Sequence, residues 1–283
     1  MLRCKAMKSS NAFLEQARRY TDAIFSRYWR SRRTHRIELF SDVYIFSNRT
    51  SWSFLRAIGR PRADAYSDIV NYADHVQWHS IGAWLLRHAA SIDRPVFIDV
   101  GASVGVYAVL LGKFAAKYGG KVLAFEPEPA AFDILSENIR LNGLESVVTC
   151  IPKAVSSEKG VANLNVAGPE SALSAQGAGG PQVEVTTLRD AVEEHGVPKI
   201  DLLIVDVEGC ELRVLQGCPW DTHRPGRIYC ELHPYAWREF GYDGKELQQF
   251  FAKQQLMCID TYLNRLSPPF SEYYIGPTVL IPR

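Results

Sequence analysis

VFIDVGASVGVYA, residues 96–108, decides the fold. VFIDV (96–100) is a short apolar run interrupted by one acid, Asp99. Gly101 and Gly105 follow in a turn of small residues, and a second apolar stretch runs to about Lys117. A buried strand that turns on glycine into a helix is the opening unit of an alternating α/β fold. Gly101 allows the tight turn, and Gly105 allows the helix to pack closely on the strand. The spacing is not Gly-x-Gly-x-x-Gly, which weakens the case for a dinucleotide pyrophosphate.

Downstream the alternation continues. KVLAFE (121–126), SVVTCI (146–151), IDLLIVDV (200–207) and GRIYCEL (226–232) read as further strands. Helices are expected over Pro129 to Leu141, Cys210 to Gln216 and Gly244 to Gln255. VANLNV (161–166) and QVEVTT (182–187) alternate like an added strand pair, and MCIDTYL and YYIGPTVLI close the chain. Near-continuous apolar strands alternating with helices predict a doubly wound, mostly parallel sheet covered on both faces. Ligands of such sheets lie beyond the carboxyl ends of the strands. AGPESALSAQGAGGP (167–181) is the one low-complexity stretch and is expected to form a loop, either a lid or an idle surface segment.

Upstream, residues 1–92 read as a mainly helical extension to a domain spanning 93–283. Phe13, Ala17, Tyr20, Ile24 and Tyr28 mark one amphipathic helix, and Ile69, Tyr72, Val76, Ile81, Trp84 and Leu85 a second. IELFSDVYIF, near 37–48, suits a strand or a helical turn. The extension is expected to cover the acceptor pocket and to supply aromatic contacts from Trp78 or Trp84.

Composition sets outer bounds. With 47% apolar and 22% charged residues, the 283-residue chain can bury a substantial core. The net charge of +1 favours neither nucleic acid nor a polyanionic substrate. Residues 1–36, however, carry ten Lys/Arg against Glu15 and Asp22. That basic arm is either a solvated helix face or a site of weak membrane-surface association. Its Arg-rich, acid-poor composition also suits a transit peptide. No run of eighteen apolar residues predicts a transmembrane helix. The six cysteines form no Cys-x-x-Cys pair, so a reduced, cytoplasmic setting is the simplest account.

Acids gather at the expected strand ends. Asp99 precedes the glycine turn, where a carboxylate suits an ammonium or sulfonium ligand better than a phosphate; its bland alternative is a cap on the turn. Glu126 ends the next strand, 25 residues beyond Gly101, and is placed to accept hydrogen bonds from ribose hydroxyls. Together these two acids imply a nucleoside bound without a pyrophosphate cradle. Asp206 and Glu208 share a side if their strand continues, or else they cap the next helix. Glu231 and His233 form the same pattern on the last parallel strand.

With these motifs assembled, the chain resembles the FkbM family of S-adenosylmethionine-dependent methyltransferases. The resemblance rests on FIDVGASVGVYA (97–108), AFEPEP (124–129), ENIRLNG (137–143), AVSSEKG (154–160), DLLIVDVEGCELRVLQG (201–217) and IYCELHP (228–234). It covers about half the chain, and DVEG-x-E-x-x-V-L-x-G is its most specific part. It implies a Rossmann-like class I methyltransferase sheet of seven strands, the last antiparallel. It also implies O-methylation of a small metabolite, sugar or glycan. By position, Asp99, Gly101, Ala102, Ser103 and Gly105 would line the methionine and ribose part of the cofactor. Glu126 would hold the ribose, Pro127 and Ala154 would flank the adenine, and Asp206 would sit near the methionine end. Two positions depart from the family: Ser103 stands where Asn is usual, and Ile204 where Lys is usual.

Transfer to a hydroxyl requires a base. The expected base is His233, oriented by Glu208 or Glu231. The variant is Mg²⁺ held by Asp206, Glu208 and Glu231. A nicotinamide-dependent oxidoreductase and a non-catalytic binding module on the same fold are the competing readings.

Overall fold

The computed structural model describes residues 35–40, 43–47, 92–165, 172–174, 180–260 and 276–282. β1 (His35–Phe40) and β2 (Val43–Ser47) form an antiparallel hairpin, so the strand alternative holds for IELFSDVYIF. The two expected N-terminal helices, the basic arm up to residue 34, Trp78 and Trp84 lie outside the described residues.

The domain opens with β3 (Val96–Val100), α1 (Val106–Lys117), β4 (Lys121–Phe125), α2 (Pro129–Leu141) and β5 (Val148–Ile151). A smaller unit follows, with β6 (Lys153–Val155), β7 (Gly160–Asn165), β8 (Ala172–Leu173) and β9 (Gln182–Thr186). Then come α3 (Leu188–Glu194), β10 (Leu202–Val205), α4 (Glu211–Gln216), β11 (Ile228–Leu232), α5 (Gly244–Lys253), β12 (Leu256–Asp260) and β13 (Gly276–Pro282). The main sheet has the order β12-β13-β11-β10-β3-β4-β5. Only β13 runs antiparallel to its neighbours, as the resemblance implied.

The strand period of two sorts the core into two layers. Val96, Ile98 and Val100 of β3 join Leu188, Leu212 and Leu247 on one face. Phe97 joins Ala108, Leu111 and Leu135, from α1 and α2, on the other. Phe97 and Ile98 are fully buried, and each such side chain contributes roughly 1.5–3 kcal/mol by leaving water. Asp99 falls in the Phe97 series. It is therefore carried into the α1 face of an otherwise apolar sheet, opposite Ile204 on β10 and Ala124 on β4.

Helix starts are fixed by local side chains. The Glu128 carboxylate accepts the Ala130 and Ala131 N–H groups at 3.1 and 2.6 Å, and Pro129 occupies the first turn of α2. Asp243 and Glu246 form a capping box at α5. The amide of buried Asn138 on α2 donates to the Val104 carbonyl at 2.7 Å, tying that helix to the turn after β3.

The alternating runs 161–166 and 182–187 do pair, β7 with β9 antiparallel. Part of the low-complexity stretch adds to them as β8, paired with β7. The rest of that stretch lies outside the described residues, apart from its last positions.

Candidate active site

The turn after β3 spends its donors on its own protein. The Gly101 and Ala102 N–H groups both donate to the Phe125 carbonyl, at 3.0 and 2.9 Å. Gly105 N–H donates to Ala102 O at 2.8 Å. Ser103 N–H donates to Glu126 Oε2 at 2.7 Å, and Glu128 N–H to Glu126 Oε1 at 2.8 Å. A carboxylate thus occupies the place where a phosphate would collect amides. Glu126 was expected to reach for ligand hydroxyls; in the structure its carboxylate clamps the turn on β4.

Gly101 has φ +85°, and a Cβ there would stand 1.7 Å from the Asp206 carbonyl oxygen. The close approach of the two loops therefore demands glycine. At Gly105 the pressure comes from Leu135 Cδ1, 2.5 Å from a hypothetical Cβ, so its packing partner is α2 rather than the strand. Ser103 adopts φ +48°, a region in which Asn is more at ease than Ser.

An open cleft lies along these strand ends, where ligands of such sheets bind. Gly101, Ser103, Glu126, Pro127, Ala154, Asp206 and Glu208 line it. Asp99, Ala102 and Gly105 stand behind that lining. Leu164 and Leu173 of the small sheet form part of the wall near Ala154.

Asp99 is fully buried, and neither carboxyl oxygen has a hydrogen-bond partner. It does not cap the turn. Burial pushes its pKa up to about 7, Glu126 adds to the rise, and the nearby Ala108 amide, which falls short of hydrogen-bond geometry, opposes it. Burial likewise raises Glu126 to about 7, against the pull of the Glu128 and Ser103 amides. Ile204, where the family usually has Lys, is packed in the core opposite Asp99 and brings no counter-charge.

At the other end of the cleft β10 stops at Val205. The period-two argument therefore does not bring Asp206 and Glu208 together. They meet through a turn, with Glu208 at φ +50° and Gly209 at φ +107°. His233 Nε2 lies 3.5 Å from Glu208 Oε2, 3.9 Å from Asp206 Oδ1 and 4.0 Å from Glu231 Oε1. All four expected residues converge.

The orienting partner is a residue that sequence reasoning left without a role. Glu211 Oε1 lies 2.7 Å from His233 Nδ1. Glu211 is fully buried and also accepts from Trp237 Nε1 at 2.9 Å, the Tyr242 hydroxyl at 2.9 Å and Gly209 N–H at 3.0 Å. This corrects the assignment of the orienting role to Glu208 or Glu231, which instead flank the other ring nitrogen. Glu211 is the third acid of DVEG-x-E, at the start of α4, and the sequence reading gave it no role. Burial opposes charge on His233, but the Glu211 hydrogen bond and the charges of Asp206, Glu211 and Glu208 raise its pKa to about 9. The resting imidazole therefore carries a proton at neutral pH.

Asp206, Glu208 and His233 place one ligand atom each within 4.8 Å of one another. Two carboxylates and an imidazole are a poor match for Mg²⁺, which prefers oxygen ligands alone. The imidazolium of His233 already supplies a positive charge among these acids.

The domain has relatives of known name. It is 32% identical over 159 residues to the methyltransferase sdnD of Sordaria araneosa, covering 44% of this chain and 60% of that protein. It is 29% identical over 187 residues to the hexuronic acid methyltransferase AglP of Haloferax volcanii, covering 64% and 70%. It is 30% identical over 186 residues to the 31-O-demethyl-FK506 methyltransferase FkbM of Streptomyces tacrolimicus, covering 52% and 69%. The chain thus spans between three fifths and seven tenths of the length of these relatives. The methyltransferase FkbM domain matches residues 99–256, more than half of the sequence, and the chain belongs to that family.

Proposed function

We propose that this protein is an S-adenosylmethionine-dependent methyltransferase acting on a hydroxyl of a small metabolite, sugar or glycan. The observation that carries the reading is the Glu126 carboxylate seated on the Ser103 amide. It closes the glycine turn to a pyrophosphate and leaves an acid at the tip of β4 facing the cleft. This disfavours the nicotinamide reading. The orphaned Asp99 fits the same cofactor, because a buried acid without a counter-charge suits a ligand with a cationic end. AglP and FkbM bear names that specify a sugar acid and an O-demethyl substrate, which supports an oxygen acceptor here.

In this reading Glu126 holds the ribose, Pro127 and Ala154 flank the adenine, and Gly101, Ser103 and Asp206 line the path to the methionine end. S-adenosylmethionine, when bound, supplies a methyl group on an activated sulfur. The chain's own residues position the acceptor and manage its proton. His233 takes that proton on Nε2 while Nδ1–H stays bonded to Glu211. The imidazolium so formed is stabilised by Glu208, Asp206 and Glu231. Because the resting ring is protonated, the rate should climb about tenfold per pH unit toward a plateau near pH 9.

Calorimetry of the whole chain with S-adenosylmethionine and with its demethylated product tests the reading. Failure to take up either molecule would remove it. Quenching by NADH instead would favour the oxidoreductase, and cofactor uptake without turnover on any hydroxylated acceptor would favour a binding module. A rate indifferent to chelators is expected. The five cysteines among the described residues are all free, which suits a reducing, cytoplasmic compartment. No helix among the described residues is long and apolar enough to cross a membrane.

A further inference from the structure

Just beyond the Glu208 end of the cleft stands Tyr235, in the loop after β11. It is 60% exposed, and Val161, on the small sheet, is the other exposed large apolar residue among those described. Tyr235 is nevertheless fixed in place. Its hydroxyl donates to Glu208 Oε2. Its ring meets the His233 ring edge-on, with centroids 5.8 Å apart and planes at 80°. An aromatic ring held at two points beside the expected base, yet open to solvent, is a rigid stacking surface.

Its surroundings are acidic. Asp206, Glu208 and Glu231 surround His233 Nε2 within 4.0 Å, and Glu211 lies behind it. Four carboxyl groups face one imidazole. Carboxylates accept hydrogen bonds from hydroxyl groups but repel another carboxylate. A ring with apolar C–H faces and a rim of hydroxyls meets both demands.

We propose that Tyr235 is the platform on which the acceptor ring stacks, and that the acceptor is an uncharged pyranose-type polyol rather than a carboxylated one. The proposal rests on the methyltransferase reading and specifies its substrate class. Tyr235 determines specificity in this scheme: the ring fixes the acceptor's face, and the carboxylates choose which hydroxyl rim is accepted and turn away a uronate.

The test uses the full chain saturated with S-adenosylhomocysteine at pH 7.5. Methyl β-glucopyranoside and methyl β-glucopyranosiduronate serve as paired probes, followed by ligand-detected saturation-transfer NMR and titration. The neutral glycoside should bind at least about tenfold more tightly than the uronate, since like-charge juxtaposition is penalised strongly. Tyr235→Ala should weaken the neutral glycoside about tenfold, Tyr235→Phe should retain most of the affinity, and both should bind S-adenosylhomocysteine as the parent does. Glu231→Gln should narrow the gap between the probes. Equal or tighter binding of the uronate overturns the proposal. So does an unchanged affinity in Tyr235→Ala, or the absence of glycoside binding to a chain that binds S-adenosylhomocysteine. A parent chain that fails to bind S-adenosylhomocysteine refutes the methyltransferase reading itself.

Discussion

Replacing Gly101 with alanine should do far more damage than replacing Gly143, although both adopt positive φ, +85° and +64°. At Gly143 a Cβ meets nothing within 4 Å, so the cost is the left-handed backbone alone, about 1–2 kcal/mol. At Gly101 the same atom stands 1.7 Å from the Asp206 carbonyl oxygen and 2.8 Å from its carbon. Backbone atoms cannot swing aside as a side chain does. Ordinary contact begins near 3.4 Å, so the loop carrying Asp206 must retreat by roughly the missing 1.7 Å. Overpacking of this kind adds about 1–3 kcal/mol, for a total near 2–5 kcal/mol. The same retreat displaces Asp206 relative to the cleft and His233, and a misplacement of about 1 Å can cost a hundredfold in rate. Urea denaturation of both variants beside the parent measures the first quantity, and calorimetry with S-adenosylmethionine the second. A Gly101→Ala protein within about 0.5 kcal/mol of Gly143→Ala, with parental cofactor affinity, would refute the claim that this contact sets the cleft.

Asp99→Asn should stabilise the cofactor-free protein above neutral pH. The folded pKa, about 7, lies above the ordinary aspartate value, so the native state binds the extra proton and stability falls as pH rises from about 4 to 7; denaturation at pH 5 and pH 8 should show a clearly larger advantage for the variant at the higher value. Glu211→Ala should cost about 3–5 kcal/mol, because His233, Trp237, Tyr242 and the Gly209 amide lose one shared acceptor. Glu211→Gln should be milder and should lower the pKa of His233 in an NMR titration; an unmoved imidazole would count against Glu211 as its orienting group. Glu126→Gln leaves one of the Ser103 and Glu128 amides without an oxygen. About 1–3 kcal/mol of stability should be lost, along with cofactor affinity, and unchanged calorimetric binding would remove Glu126 from the ribose role.

The parallel body was legible because its strands are apolar runs and its turns are punctuated by glycine. β3, β4 and α2 start where the sequence places them. The count of seven strands and the reversal of the last came from the resemblance, and the order of the sheet from the structure alone, since no local pattern encodes which neighbour a strand chooses. α3 passed unnoticed: seven residues are too few for a clear helical period, and the Thr187 cap that starts it resembles a strand end. The site was half legible. Asp206, Glu208, Glu231 and His233 were expected together; Glu231 and His233 do stand at the end of β11, but the shared-strand reason fails for Asp206 and Glu208, because β10 stops before them. Glu211, Trp237 and Tyr242 converge from separate elements, and their meeting is a tertiary fact with no spacing to announce it.

The small sheet β6-β9-β7-β8 is built separately from the seven-stranded one, yet it lends Leu164 and Leu173 to the Ala154 end of the cleft. Under the proposed cofactor placement, that division of labour makes the wall beside Ala154 an interchangeable panel. Exchanges at those two leucines can retune which base is tolerated while leaving the clamps at Glu126 and Gly101 untouched. Engineering toward cofactor analogues with enlarged bases would therefore begin on this panel rather than on the strand tips.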